Sequence, residues 1–209
     1  MIWFLLAVLI VVVIILLAIY MRRDKEQTLS PPPVENLAEL SVAAATVGDN
    51  ISIPGAGDDY ANLNFTVDRK NRYESGGDEW FELSGQYNGR RIHVEVSEDD
   101  GVEVTVNLSR VEIALGDLGG LSEDDLTRMD ESQDQSESLD YDGSMWRYES
   151  SHEIAYFKDD GSESEGYYSW NFREQNGERV LSVEKFEGEP FEVSLSRRVN
   201  PDDVQVFRN

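Results

Sequence analysis

The side chains able to do chemistry are few in kind: 42 carboxylates, two histidines (His93 and His152) and no cysteine among 209 residues. Without cysteine, disulfides, thiolate metal sites and thiol nucleophiles are excluded. His93 and Glu95 form a His-x-Glu pair, which a strand would present on one face as two metal ligands. No third ligand stands at a clear spacing, so an exposed pair is expected. His152 lies beside Glu153 in a polar stretch. Two carboxylates could act as general acid and base in a glycosidase, but 42 acids bring some pairs together by chance. The acidic turns Glu98-Asp99-Asp100-Gly101 and Asp159-Asp160-Gly161 lack the alternating ligands and distal glutamate of an EF-hand loop, and read as solvated turns. Gly55-Ala56-Gly57 lacks the third glycine of a nucleotide fingerprint. The expectation is therefore no catalytic, cofactor-binding or metal-ligating residue, and no cofactor.

The elements that would position any site are mostly strands. From Thr46 onward the apolar spacing is two: Leu63, Phe65 and Val67; Ile92, Val94 and Val96; Val102, Val104, Val106 and Leu108. Asn88-Gly89 separates residues 80–87 from 90–96, a strong hairpin signal because both turn positions tolerate positive φ. Asp100-Gly101 marks the next reversal, so an antiparallel meander is predicted.

The pattern recurs. Asn176-Gly177 divides a strand through Tyr168, Trp170 and Phe172 from one through Val180 and Val183, and a Glu187-Gly188 turn leads to Phe191, Val193 and Leu195. Each copy closes in a capped acidic turn, Ser122-Glu123-Asp124-Asp125 and Asn200-Pro201-Asp202-Asp203. An internal duplication, or a coincidence of two meanders, accounts for this. Residues 129–142, rich in Ser, Gln and acids, read as a linker. The expected fold class is mainly β: an N-terminal transmembrane helix, then two tandem small antiparallel β units, as curled meanders or small barrels. The expected divisions are an anchor (1–21), a Pro-rich linker with a possible short helix (22–45), a first β unit (46–128), an acidic linker (129–142) and a second β unit (143–209). The aromatics of the strands are expected in the core. Adjacent rings such as Tyr167-Tyr168 must nevertheless face opposite sides, so one either packs between the copies or forms a recognition surface.

Residues 2–20 form an unbroken apolar run of about 28 Å as a helix, enough to cross a bilayer core. Trp3 and Tyr20 sit where aromatic side chains favour the headgroups, and Arg22, Arg23 and Lys25 follow the run directly. This predicts one span of the cell inner membrane, with the N-terminus outside and the body cytoplasmic. The run holds no ionisable side chain, so it reads as an anchor without ion-path chemistry. Pro31, Pro32 and Pro33 make a stiff spacer.

The formal charge of -24 disfavours nucleic acid and anionic lipid as partners. The acidity serves solvation, a basic partner or a salty interior. Several short segments resemble the family named domain of unknown function 4178: Val47-Gly48-Asp49-Asn50-Ile51, Trp80-Phe81-Glu82-Leu83, Tyr167-Tyr168-Ser169-Trp170 and Leu181-Ser182-Val183-Glu184. The resemblance implies a duplicated β protein and supplies no activity, cofactor or site residue. It implies that such chains are encoded near membrane-stress proteins, small multi-pass membrane proteins and polyamine-synthesis enzymes. The expected function is a membrane-anchored cytoplasmic interaction or accessory module with a protein partner, in membrane stress or envelope maintenance. The alternative is a small carboxylate-dependent hydrolase near the membrane. A nucleic-acid-mimicking decoy is a third reading.

Overall fold

The structure, a computed structural model, describes residues 41–99 and 101–208. Trp3, Tyr20, Arg22, Arg23 and Lys25, and with them the expected anchor, lie outside the described residues. Among the described residues no helix is long and apolar enough to cross a membrane.

The described residues form twelve strands: β1 (Asn50–Ile53), β2 (Leu63–Thr66), β3 (Arg69–Ser75), β4 (Asp78–Tyr87), β5 (Arg90–Ser97), β6 (Glu103–Glu112), β7 (Ser138–Tyr141), β8 (Ser144–Phe157), β9 (Glu165–Glu174), β10 (Arg179–Phe186), β11 (Phe191–Val199) and β12 (Gln205–Phe207). One α-helix, α1 (Glu123–Ser132), follows β6. The β4–β5 hairpin turns at Asn88 and Gly89, with φ of 49° and 79°, as the sequence requires of that pair. Ser122 caps α1 reciprocally with Asp125: each backbone N–H donates to the other's side chain, at 3.1 and 3.2 Å.

The two tandem units expected from the sequence do not form. The large sheet runs β3-β4-β5-β6-β11-β10-β9-β8-β7, and β3 also pairs with β8, so eight strands close into one barrel with β7 as an outer flap. Each half of the chain supplies four barrel strands, and the halves join at β6–β11 and β3–β8. The physical reason is that a four-stranded meander leaves two open edges of unpaired backbone groups. Pairing edge to edge satisfies both meanders at once. Residues 129–142, expected as a linker, are built into regular structure. Met129 and Leu139 are buried, and Leu139 of β7 registers against Trp146 of β8, so this stretch carries the end of α1 and a strand.

Two layers cover the barrel from outside. A three-stranded sheet, β12-β1-β2, packs Ile51, Ile53, Phe65 and Val206 on Leu83, Ile92, Val94, Val96, Val104 and Val106. Gly85 permits this approach, since a Cβ there would strike the Thr66 carbonyl. On the other half, α1 and the segment before it place Leu118, Leu126 and Met129 over Trp146, Phe172, Leu181 and Val183. The Trp170 indole N–H donates to the Leu126 carbonyl at 3.0 Å. The apolar strand faces therefore look outward into these two cores. Alternation then turns the polar faces into the barrel.

Candidate functional site

This inversion of the usual sense creates the site. A cavity of about 300 Å³ lies inside the barrel, and every barrel strand contributes to its wall: Asn71 and Tyr73 from β3, Glu82 from β4, His93 from β5, Arg110 from β6, Tyr156 from β8, Tyr167 from β9, Glu184 and Phe186 from β10, and Glu192 from β11. Glu165 and Glu189, both exposed, line the same space, so it reaches solvent at their end of the barrel. Such a volume lies at the lower limit of small-molecule sites.

The acids are held in distinct ways. Glu82, with a side chain only 2% exposed, accepts a hydrogen bond from the Asn71 amide at 2.8 Å. His93 Nδ1 stands 3.0 Å from Glu82 but too far out of line to make a hydrogen bond, which leaves a buried polar atom without one. Burial pushes the Glu82 carboxyl up, and the opposing contributions of His93, Asn71 and Arg110 outweigh it, leaving the group below its ordinary value. Glu184 meets Arg110 at 3.2 Å and accepts a hydrogen bond from the Ser194 hydroxyl at 3.2 Å. Here burial prevails over Arg110 and Ser194, and the carboxyl is raised. The Arg110 guanidinium also reaches Glu192 at 3.8 Å. Burial disfavours its charge, yet Glu184, Glu82, Tyr73 and Glu192 hold the proton more firmly than usual.

Glu95 differs from both. It is the register partner of Glu82 on the neighbouring strand and follows His93 by two residues, on the same inward face. Enclosed by protein, it keeps some accessible surface and shares its face of the sheet with His93 and Glu82, both of which line the cavity. Among the described residues it makes no hydrogen bond or ion pair. Burial first, then the charges of Glu82 and Glu184, push its carboxyl up to about 7, against the pull of Arg110. Around these groups stand aromatic rings. Tyr167 stacks on Phe186 with centroids 4.6 Å apart, and Tyr73 lies 5.2 Å from Tyr156 and edge-on to Tyr167 at 6.4 Å. Burial raises the phenols of Tyr73 and Tyr167, so both stay protonated.

The expectation that His93 and Glu95 are a solvated pair is overturned, because the face opposite the apolar one looks into the lumen. The structure gathers Glu82 and Glu184, to which the sequence assigned no site role, around Glu95 of that pair. The available signal was a charged residue flanked on both sides by apolar ones, as in Phe81-Glu82-Leu83 and Val94-Glu95-Val96. His152 is exposed. Tyr167 and Tyr168 do take opposite faces: the former turns inward, while the latter packs on Trp170 and donates to Asp130 outside. No cluster of His, Asp and Glu suited to a metal ion occurs among the described residues.

The sequence model of the family described as Domain of unknown function (DUF4178) matches residues 54–201, more than half of the chain. No curated protein and no solved structure matches.

Proposed function

We propose, from the premise that the chain belongs to the DUF4178 family, that it is a non-catalytic binding and accessory module whose barrel takes a small polar molecule into its lumen. One observation carries this reading: a cavity lined from all eight barrel strands and furnished with polar groups, instead of the apolar packing that fills a small closed barrel. Keeping three buried acids in a domain interior is costly without a role for them. The apolar run at 2–20 and the basic residues Arg22, Arg23 and Lys25 support a tether at the inner membrane with the barrel on the cytoplasmic side. The acidic exterior then serves a protein partner. A reporter fused after Asn209 tests the tether and should be active in the cytoplasm; activity only outside would reverse the orientation.

Native mass spectrometry of the full chain, extracted in detergent, tests the lumen. The expected result is a small-molecule adduct that denaturation releases. An unliganded mass, with Tyr167 and His93 ring signals unmoved by any small amine, acid or polyol, would refute binding.

A second reading has its own support. Glu82 and Glu95 are neighbours driven in opposite directions, an arrangement that suits a base and an acid. A hydrolase would turn over chromogenic esters or glycosides and lose that turnover in Glu95→Gln. The small volume within the barrel favours binding of a small molecule over cleavage of an envelope polymer.

A further inference from the structure

Resting on that reading, we propose that the molecule held in the lumen is a small organic cation, an alkylammonium, seated between Glu82, Glu95 and Glu184 against the rings of Tyr73 and Tyr167. Three observations converge on this charge and shape.

The first is the pairing of charges inside the barrel. Arg110 is engaged by Glu184 and Glu192, His93 lies against Glu82, and Arg69, which also lines the cavity, pairs with Asp159 at 3.3 Å. Glu95 is left without a counter-charge among the described residues. An anion entering the lumen would meet no uncommitted cation and would face this carboxylate. A cation would complete the set, since a buried charge is tolerated when paired.

The second is the aromatic wall. Phenol and phenyl faces beside carboxylates recognise ammonium groups through ring quadrupole and charge together. Tyr73, Tyr156, Tyr167 and Phe186 line the cavity together with Glu82 and Glu184, and Glu95 is the register partner of Glu82. An inorganic ion makes little use of such rings, and no metal-ligating cluster accompanies them among the described residues. The third is the mouth, where Glu165 and Glu189 stand exposed at the opening and focus a field attractive to cations.

Uptake is then coupled to a proton. The groups facing Glu95 are Glu82 from β4, Tyr73 from β3, Arg110 from β6, Tyr167 from β9 and Glu184 from β10, with His93 on its own strand. With the lumen empty, repulsion from Glu82 and Glu184 together with burial keeps a proton on Glu95. The cation replaces that proton, so binding strengthens as pH rises through neutrality.

The test titrates n-butylammonium into the full chain in detergent micelles at pH 8 and pH 5.5, beside 1-butanol, butyrate and calcium chloride, with Glu95→Gln in identical micelles as the partition control. Saturable binding of butylammonium is expected at pH 8, weakened at least tenfold at pH 5.5 and in Glu95→Gln, with no competition from the other three. If butanol, butyrate or calcium binds the lumen as well as butylammonium does, or if Glu95→Gln binds it unchanged, the cation assignment is overturned while lumen binding stands. If none of the four shifts the lumen signals and the native mass is unliganded, both readings fall.

Discussion

Glu82 and Glu95 face each other across β4 and β5 in direct register, and the same enclosure drives their carboxyls apart. Glu82 has Asn71 and His93 against it and stays ionised, whereas Glu95 has no partner among the described residues and is raised by burial and by the charges around it. The asymmetry is a matter of neighbours, since both residues are glutamates on one wall of one lumen.

Stability should therefore depend on Glu95 with a definite sign. Its folded value of about 7 lies above the ordinary 4.5. The unfolded chain thus ionises first, and stability is lost as pH rises from about 4.5 to 7, then levels off. A shift of this size corresponds to roughly 3–4 kcal/mol. Glu95→Gln should raise the urea midpoint by that equivalent at pH 8 and leave it unchanged near pH 4. An equal effect at both pH values would mean that the residue acts through packing.

Arg110 should be indispensable while Glu184 is charged. Removing one partner of a buried pair costs about 3–5 kcal/mol, because the other charge is left unpaired. Arg110→Met should lose about that much at pH 8, and Arg110→Met with Glu184→Gln should recover much of it. Additive losses in this double-mutant cycle, read by urea unfolding, would show that the two residues do not interact.

The barrel seam should be the first place to open. β3 and β8 share only the register pairs Arg72–Phe157, Tyr73–Tyr156 and Glu74–Ala155, while β8 and β9 share ten. Arg72 clasps this seam: its guanidinium lies 3.8 Å from the Phe157 ring centroid, donates to Asp160 at 2.8 Å and pairs with Glu74. Cation–π and ion-pair contacts of this kind are worth on the order of 1–2 kcal/mol. Arg72→Ala should speed amide exchange at residues 72–74 and 155–157 about tenfold, with β10 and β11 unchanged. Uniform acceleration across the barrel would indicate global destabilisation.

Much of the local structure was legible in the residues. A period of two, Asn88-Gly89 and the Ser122 cap specify strands, hairpin and helix start through contacts close in sequence. Barrel closure was not legible, because which edges meet depends on the joining of β6 to β11, some 80 residues apart, and of β3 to β8. The direction of each face was hidden as well. Alternation says that Val94 and Glu95 point apart, but not that the apolar side is covered by an added sheet and the acid turned inward. Residues 129–142 look too polar to order themselves, yet Met129 and Leu139 dock on a surface centred on Trp146, which the rest of the chain builds. The gathering of Glu82, Glu95, Arg110 and Glu184 follows from that closure, so composition alone concealed it.

The most direct check is a carbon-detected NMR titration of the side-chain carboxyls of the folded chain, with Glu95 assigned by comparison with Glu95→Gln. Glu95 should titrate near 7 and Glu82 below the ordinary glutamate value. If both titrate together at that ordinary value, the two acids are solvated and the polar lumen does not exist as described.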